Sequence, residues 1–375
     1  MRKRVLIINC VCGIRSTGRI CAEQAKQFEA SGCDVRIGYG RVDAISPACA
    51  KWAVRIGGPI SRYVHALTTR LFDAHGTGLC SRLATKRFLR WAEDWRPELV
   101  WLHNIHGYYL NYELLFDWIK RHPEMEVRWT LHDCWPFTGH CAYFTAVDCD
   151  RWRSGCHKCP EKHQYPASFV LDASRRNWEL KKFCFTGVKN LTLITPSIWL
   201  ANLSRQSFLK DYPVEVIRNT IDATVFKPTE SDFRVRYGLN EKIVILGVAS
   251  SWDRRKGLKD FVELRRILDD SYAIVLVGLT DKQVRKLPSG IIGIGRTNDA
   301  KELAGIYTIS DWFFNPTHED NYPTVNLEAR ACGCKIVTYD TGGSAETING
   351  YDCGVVLQGQ DKCPEAFASI VRNSK

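Results

Sequence analysis

The sequence predicts an α/β protein of two doubly wound, Rossmann-like domains that face each other across a cleft. Short apolar stretches of strand length alternate with helical stretches along the chain, which is typical of parallel sheets covered by helices. The alternation restarts after residues 213–228, which combine a short strand, an Asn-Thr turn and a proline. The length of 375 residues also fits two domains of ordinary size.

The first domain is predicted for residues 1–212 and the second for residues 213–375. In the first, we expect a glycine-bearing loop over Gly13–Gly18 and a helix over Ile20–Ala30. Its strands are predicted at Arg4–Asn9, Asp34–Tyr39, Leu99–Leu102, Val127–Leu131 and Leu191–Thr195. The strands of the second are predicted at Ile243–Val248, Ala273–Val277, Ile291–Ile294, Trp312–Phe314 and Lys335–Tyr339, and its helices at 257–269, Ala300–Ile309, Thr324–Cys332 and Pro364–Val371.

Charge and hydropathy limit the classes of function. The chain has 52 Lys and Arg against 41 Asp and Glu, a net charge of +11, which favours an anionic partner such as a nucleotide, a phosphorylated lipid, a membrane surface or nucleic acid. The longest apolar runs, such as Ile243–Ala249, are far shorter than the roughly 20 residues of a membrane-spanning helix. Val5–Ile8, which follows three basic residues, is too short for a signal-peptide core, so we expect a cytoplasmic protein.

The stretch Pro316–Ala329 follows a predicted strand and opens a helix. Asn321 is predicted as the N-cap, with Pro323 in the first turn. The backbone N–H groups of Thr324 and Val325 would then point at an anion. Glu328 would lie one turn further on, where a carboxylate repels phosphate but accepts hydrogen bonds from a ribose diol. A nucleoside diphosphate fits both features, and a capped helix with an incidental Glu is the alternative.

Two further loops follow strands of the second domain. Ser250–Gly257 carries Arg254, Arg255 and Lys256, which suit a phosphate, although a solvated basic turn is the plainer interpretation. Asp340–Glu346 contains a Gly-Gly pair between a strand and a helix, which is weak evidence by itself.

Together these motifs resemble the retaining, family-4 glycosyltransferases of the GT-B fold, and most closely the branch assigned to bacterial exopolysaccharide and colanic-acid-type synthesis. The resemblance implies transfer of a hexose from a UDP- or GDP-sugar to a hydroxyl of a saccharide acceptor that is lipid-linked. It implies no cofactor or metal for catalysis. The acceptor would place the protein at the inner face of the cell membrane as a peripheral protein.

The resemblance also implies roles for particular residues. The two-glutamate motif of the family falls on Asp320 and Glu328, with Glu319 one residue out of register. The residues expected to act in catalysis are His132, Lys256, Asp320 and Glu328. Those expected to bind substrate are Gly18, Asp133, Arg254, Arg255, Glu319, Asn321, Tyr322, Pro323, Thr324 and Val325. Gly18 belongs to a first-domain loop that lines the acceptor side in the family, and His132 and Asp133 would reach the donor sugar.

Four cysteines are spaced Cys141-x7-Cys149-x6-Cys156-x2-Cys159. The Cys-x-x-Cys end is a good zinc half-site, because two thiolates at that spacing can bind one tetrahedral ion. We expect either a structural zinc knuckle or, as alternatives, free buried thiols or iron–sulfur ligation.

Residues 51–96 hold nine Lys and Arg against three Asp and Glu. Apolar residues interleave with the basic ones: Trp52, Ile56, Ile60, Tyr63, Val64, Leu67 and Leu71. This segment is either a face that contacts an anionic membrane or an amphipathic core helix with a solvated basic side.

Two other functions fit parts of the sequence. A nucleotide-sugar epimerase of the same fold would consume donor without an acceptor. A zinc-containing nucleic-acid-binding protein would account for the charge and the cysteines, but it leaves the second-domain loops unexplained, so we expect no nucleic-acid partner. An NAD-dependent oxidoreductase is disfavoured because the first loop lacks the G-x-G-x-x-G pattern.

Overall fold

A computed structural model describes residues 2–41, 44–295, 297 and 299–374, with only the backbone described at residues 79 and 80. The chain forms two compact units, Met1–Arg218 and Asn219–Lys375. The division lies six residues beyond the predicted boundary. The reason is that Val214–Val216 pairs in parallel with Leu191–Thr195 and so completes the first sheet.

The first unit is a seven-stranded parallel sheet flanked by helices. Its strands are β1 (Arg4–Ile8), β2 (Asp34–Tyr39), β3 (Ala53–Arg55), β4 (Leu99–Leu102), β5 (Glu126–Thr130), β6 (Leu191–Thr195) and β7 (Val214–Val216), in the order β3-β2-β1-β4-β5-β6-β7. Its helices are α1 (Arg15–Ala30), α2 (Pro59–Phe72), α3 (Leu79–Trp95), α4 (Tyr112–Lys120), α5 (Ser174–Phe185) and α6 (Ile198–Arg205). The strand order reverses between β1 and β4, which is where ligands bind in doubly wound sheets.

The second unit is a six-stranded parallel sheet. Its strands are β8 (Ile243–Val248), β9 (Tyr272–Val277), β10 (Ile291–Ile294), β11 (Trp312–Asn315), β12 (Lys335–Tyr339) and β13 (Gly354–Leu357), in the order β10-β9-β8-β11-β12-β13. Its helices are α7 (Phe233–Arg236), α8 (Leu258–Ile267), α9 (Asp281–Val284), α10 (Ala300–Thr308), α11 (Thr324–Ala331) and α12 (Pro364–Arg372). Here the order reverses between β8 and β11.

The central strands are almost wholly apolar and buried on both faces, which is the pattern of parallel sheets. They are therefore the strands that the sequence located best. The edge strands β3 and β13 were not predicted, and both are short, with three and four residues. Helix α1 begins at Arg15 rather than Ile20, so the predicted loop ends earlier.

Candidate functional site

Three loops of the second unit meet at the carboxyl edge of its sheet. They follow β8, β11 and β12, which are neighbours in the sheet, so their ends lie side by side. The N–H of His318 donates to the carbonyl of Arg255 at 2.8 Å, and the N–H of Gly343 donates to the carbonyl of Asp320 at 3.1 Å. The three segments that the sequence singled out are thus brought together by backbone hydrogen bonds.

Two glycines make this close approach possible. Gly257 and Gly342 have φ values of +71° and +59°, a region that side chains rarely adopt. A Cβ at Gly257 would lie 2.3 Å from the carbonyl oxygen of Pro316, and one at Gly342 would lie 1.8 Å from that of Asp320. The middle loop is therefore clamped by its two neighbours at positions that require glycine.

Lys256 and Asp320 form a half-buried ion pair between the first and second of these loops. Lys256 Nζ donates to Asp320 Oδ2, and the side chains are 16% and 13% exposed. Burial lowers the pKa of Lys256, against the opposing charge of Asp320. Burial raises the pKa of Asp320, but the charges of Lys256 and Arg255 outweigh it and hold that pKa below its ordinary value. Asp320 is therefore a carboxylate at neutral pH.

Arg255 fixes the loop after β11 from the other side. Its Nη1 donates to the carbonyl of Glu319 at 2.6 Å, and the Glu319 side chain is buried. Arg254, by contrast, is exposed. Of the two arginines predicted to bind phosphate, Arg255 is held in place by the protein and Arg254 extends into solvent.

Helix α11 begins at Thr324, and its N-cap is Pro323. The prediction of Asn321 as N-cap is wrong. The N–H of Asn326 donates to the carbonyl of Pro323 at 3.2 Å, so Pro323 is the N-cap. Thr324 and Val325 are half-buried, so the helix start is not sealed inside the protein. Their N–H groups lie in the first turn of the helix, where donors have no intrahelical carbonyl to bond and the helix dipole favours an anion.

Glu328 lies one turn into α11 and is only 7% exposed. Its Oε2 accepts a hydrogen bond of 3.0 Å from the hydroxyl of Tyr307, which is on α10. The sequence analysis missed Tyr307, since no local pattern signals a partner 21 residues away. A carboxylate has about four acceptor positions, so this bond leaves Glu328 able to accept others.

His132 follows β5 in the first unit, as predicted, and is half-buried. Its Nε2 lies 2.9 Å from Nδ1 of His103, whose Nε2 lies 2.9 Å from Oε1 of Gln24. Burial lowers the pKa of His132 to about 4, against the opposing charge of Asp133. His132 is therefore a neutral imidazole at pH 7, suited to hydrogen bonding rather than to charge.

Asp133 uses both carboxylate oxygens within the first unit. Oδ1 accepts the N–H of Trp135 at 3.0 Å, and Oδ2 lies 3.0 Å from Nε2 of His106. Burial raises the pKa of Asp133, but His106 and the hydrogen bond from Trp135 outweigh burial and hold the pKa below its ordinary value. Asp133 is therefore ionised. Asp133 thus contacts His106 and the turn at Trp135, and its contact with the donor sugar stays a prediction.

Gly18 is buried in the first turn of α1, and the N–H of Gly13 donates to its carbonyl at 3.1 Å. A Cβ at this position would lie 3.0 Å from Cγ2 of Val11. Its lack of a side chain lets the start of α1 pack closely on the turn after β1.

The four cysteines of residues 141–159 line one small cavity of the first unit. As they stand, no three His, Cys, Asp or Glu side chains within the described residues are grouped to hold a metal ion. The zinc site therefore stays a prediction.

A family model described as glycosyl transferases group 1 matches residues 229–374. The second unit therefore carries a glycosyl transferases group 1 domain. All three loops of the candidate site, and Tyr307 with Glu328, fall inside the matched region.

Two curated relatives agree with this assignment. The Escherichia coli K12 protein WcaC, named as a colanic acid biosynthesis glycosyl transferase, is 24% identical over 67% of this chain and 62% of its own length. A Campylobacter jejuni protein named as an N,N'-diacetylbacillosaminyl-diphospho-undecaprenol alpha-1,3-N-acetylgalactosaminyltransferase is 32% identical over 40% of this chain and 43% of its own. The chain thus spans less than two thirds of the length of these relatives.

Solved structures show the fold. Sucrose-phosphate synthase from Thermosynechococcus elongatus has a TM-score of 0.68 at 16% identity, covering 99% of this chain and 89% of that one. Anabaena HepE in complex with UDP has a TM-score of 0.63 at 13% identity, with the same coverage. The predicted GT-B fold, with two Rossmann-like domains, is confirmed.

Proposed function

We propose that the chain is a retaining hexosyltransferase that takes its sugar from UDP or GDP and transfers it to a hydroxyl of a lipid-linked saccharide, in the synthesis of a bacterial surface polysaccharide or exopolysaccharide. The observation that carries the proposal is the joining of a basic loop, an open helix start and a buried glutamate at one sheet edge. The names of WcaC and of the Campylobacter relative support a saccharide or lipid-linked acceptor. The UDP complex of HepE supports a nucleoside diphosphate sugar as the donor.

The diphosphate of the donor binds at the start of α11. The N–H groups of Thr324 and Val325 donate to its oxygens, and the helix dipole favours the negative charge. Lys256 is held near the helix start by its ion pair with Asp320. Its ammonium group is shielded from solvent, so its charge acts strongly on a phosphate. Arg255 adds a second cation, and the exposed Arg254 can close over the diphosphate from solvent.

The sugar and the ribose are held by the two acidic positions. Glu328, fixed by Tyr307, accepts hydrogen bonds from the ribose diol. Asp320 and Glu319 contact sugar hydroxyls. His132, in the first unit, is a neutral hydrogen-bonding group for a sugar hydroxyl. Asn321, Tyr322 and Pro323 set the path of the loop between these groups, and Gly18 lines the acceptor side.

Departure of the nucleoside diphosphate is the demanding step. The bond from the anomeric carbon to the diphosphate oxygen breaks, and the acceptor oxygen forms its bond on the same face of the sugar. The acceptor proton passes to an oxygen of the leaving phosphate, so no side chain needs to act as base. The helix N–H groups and Lys256 stabilise the negative charge as it develops, which is where preorganised donors contribute most.

An exposed apolar stripe on α2 supports a membrane-bound acceptor. Ile60, Tyr63, Leu67 and Leu71 are 80%, 70%, 43% and 37% exposed, whereas the buried residues of α2 are His65, Ala66 and Thr69. The core-helix interpretation of this stripe is therefore wrong, although Trp52 and Ile56 are core residues.

Neighbouring features extend the stripe. Phe169 and Leu171 are also exposed, and their N–H groups donate to the carbonyls of Arg70 and Leu71, which ties this loop to the end of α2. The sequence of α2 carries Arg62 and Arg70 and no acidic residue. Within the described residues no helix is long and apolar enough to cross a bilayer. We propose that this face binds the surface of an anionic membrane.

The function is tested by incubating the purified chain with UDP- and GDP-sugars, with and without an extract of lipid-linked saccharides. We expect nucleoside diphosphate release that depends on the extract, with the sugar recovered on lipid. Consumption of donor without acceptor would instead indicate an epimerase. Failure of every nucleoside diphosphate to raise the thermal unfolding temperature would overturn the proposal.

A further inference from the structure

Cys141, Cys149, Cys156 and Cys159 surround a cavity in the long loop region between β5 and α5. The cavity holds about 10 Å³ of free space, roughly what one water-sized sphere occupies. Phe144 and Trp152, with ring centroids 5.1 Å apart, help to line it. Four thiols therefore line one small cavity that has room for a single ion.

The backbone around the last two cysteines is held by bonds that come from elsewhere in the chain. The N–H of Gly139 donates to Sγ of Cys156 at 3.2 Å. Arg151 Nη1 donates to the carbonyls of His157 and Lys158, at 3.0 and 2.6 Å. The Cys156–Cys159 turn is thus fixed, and the N–H of Gly139 contacts the Cys156 sulfur as outer-shell donors do at metal sites.

We propose that these four cysteines bind one structural zinc ion. Cys141 and Cys149 line the same cavity as Cys156 and Cys159, although they precede that pair in the sequence. The four thiol groups need to turn toward a common centre, since they are not yet grouped as ligands. Each Zn–S bond forms as one thiol proton leaves to solvent, and four thiolates complete the tetrahedral shell that zinc prefers.

The ion would act through the loop that follows Asp133. Thr138 Oγ1 donates to the carbonyl of Cys141 at 2.5 Å, and Nδ1 of the neighbouring His140 lies 2.6 Å from Oδ1 of Asp73. The zinc site therefore anchors a segment whose other end carries the His106 and Asp133 pair. Its contribution is to stability, independent of the proposed transfer reaction.

The test is elemental analysis of the full chain, purified without chelator. We expect about one zinc per chain, and after replacement by cobalt, the visible absorption of a four-thiolate cobalt site. Cys149→Ser and Cys159→Ser should each lose most of the metal, whereas Cys33→Ser, at a free thiol elsewhere in the first unit, should keep it. Removal of zinc by a chelator should lower the thermal unfolding temperature of the wild-type chain.

A wild-type chain that holds no zinc after incubation with zinc salt, and that shows no thiolate absorption with cobalt, would overturn the proposal. So would iron together with inorganic sulfide in the purified chain. Because the wild-type measurements need no variant, the test stands even where a cysteine substitution prevents folding.

Discussion

The hydroxyl of Tyr307 donates a 3.0 Å hydrogen bond to Glu328, so the proposed ribose ligand is held by a neighbouring helix. Glu328→Gln should lower transfer by about a hundredfold, since the single, uncharged amide oxygen cannot keep the bond from Tyr307 and also accept from both ribose hydroxyls. Tyr307→Phe should raise the KM for the donor about tenfold with a smaller change in kcat, because a hydrogen bond to a charged group is worth about 1.5–3 kcal/mol. Initial rates against donor concentration check both, and unchanged kinetics for Glu328→Gln would contradict the assignment.

The Lys256–Asp320 pair predicts opposite effects of removing its two charges. Lys256→Ala should weaken UDP or GDP binding about tenfold or more, because it removes a buried cation next to the diphosphate. Asp320→Asn should bind the free nucleotide as tightly as wild type or more tightly, since a repelling carboxylate is gone, yet transfer should fall. Calorimetric titration with the nucleotide measures this, with the exposed Lys282→Ala as control. Weakening by both substitutions would argue against the proposed diphosphate position.

Gly342 offers a matched pair of substitutions with Gly350. Both glycines have positive φ, so alanine costs about 1–2 kcal/mol of backbone strain at either position. Only at Gly342 does the new Cβ meet another atom, the carbonyl oxygen of Asp320, whereas at Gly350 it meets nothing within 4 Å. Gly342→Ala should therefore weaken nucleotide binding at least tenfold and Gly350→Ala should not. Equal affinities in the two variants would show that the loop contact does not shape the site.

The depressed pKa of His132 predicts a loss of stability in acid. Its pKa is about 4 in the folded chain and about 6.5 when unfolded. Between these two pH values the unfolded state binds a proton that the folded state does not bind. Stability should fall as the pH drops from about 6.5 to about 4, by no more than about 3.4 kcal/mol from this group. His132→Gln should show a shallower fall in unfolding temperature over that range, and parallel curves would contradict the prediction.

The apolar stripe on α2 predicts membrane binding. The double substitution Ile60→Ser with Tyr63→Ser should reduce binding to phosphatidylglycerol vesicles at least tenfold, because each buried apolar side chain is worth about 1.5–3 kcal/mol. Val235→Ser, at a residue of the second unit that is 70% exposed, is the matched control. Sedimentation with vesicles measures the effect. Equal binding to phosphatidylglycerol and phosphatidylcholine would argue against an anionic surface as the partner.

The sequence alone determined the central strands and the three second-unit loops. Ile243–Val248 and Lys335–Tyr339 match the structure to the residue, because strands buried on both faces are continuous apolar runs. The loops were located because parallel strands place their carboxyl ends at one edge, which follows from chain order and chirality rather than from side-chain detail.

Tertiary structure decided which side chains meet. The partners of Glu328 and His132 are Tyr307 and His103, each more than 20 residues away along the chain. The exposure of the α2 stripe was likewise undetermined, because the same amphipathic pattern fits a core face and a solvent face. Periodicity reports only that a helix has two faces, and which of them is buried depends on where the rest of the chain packs.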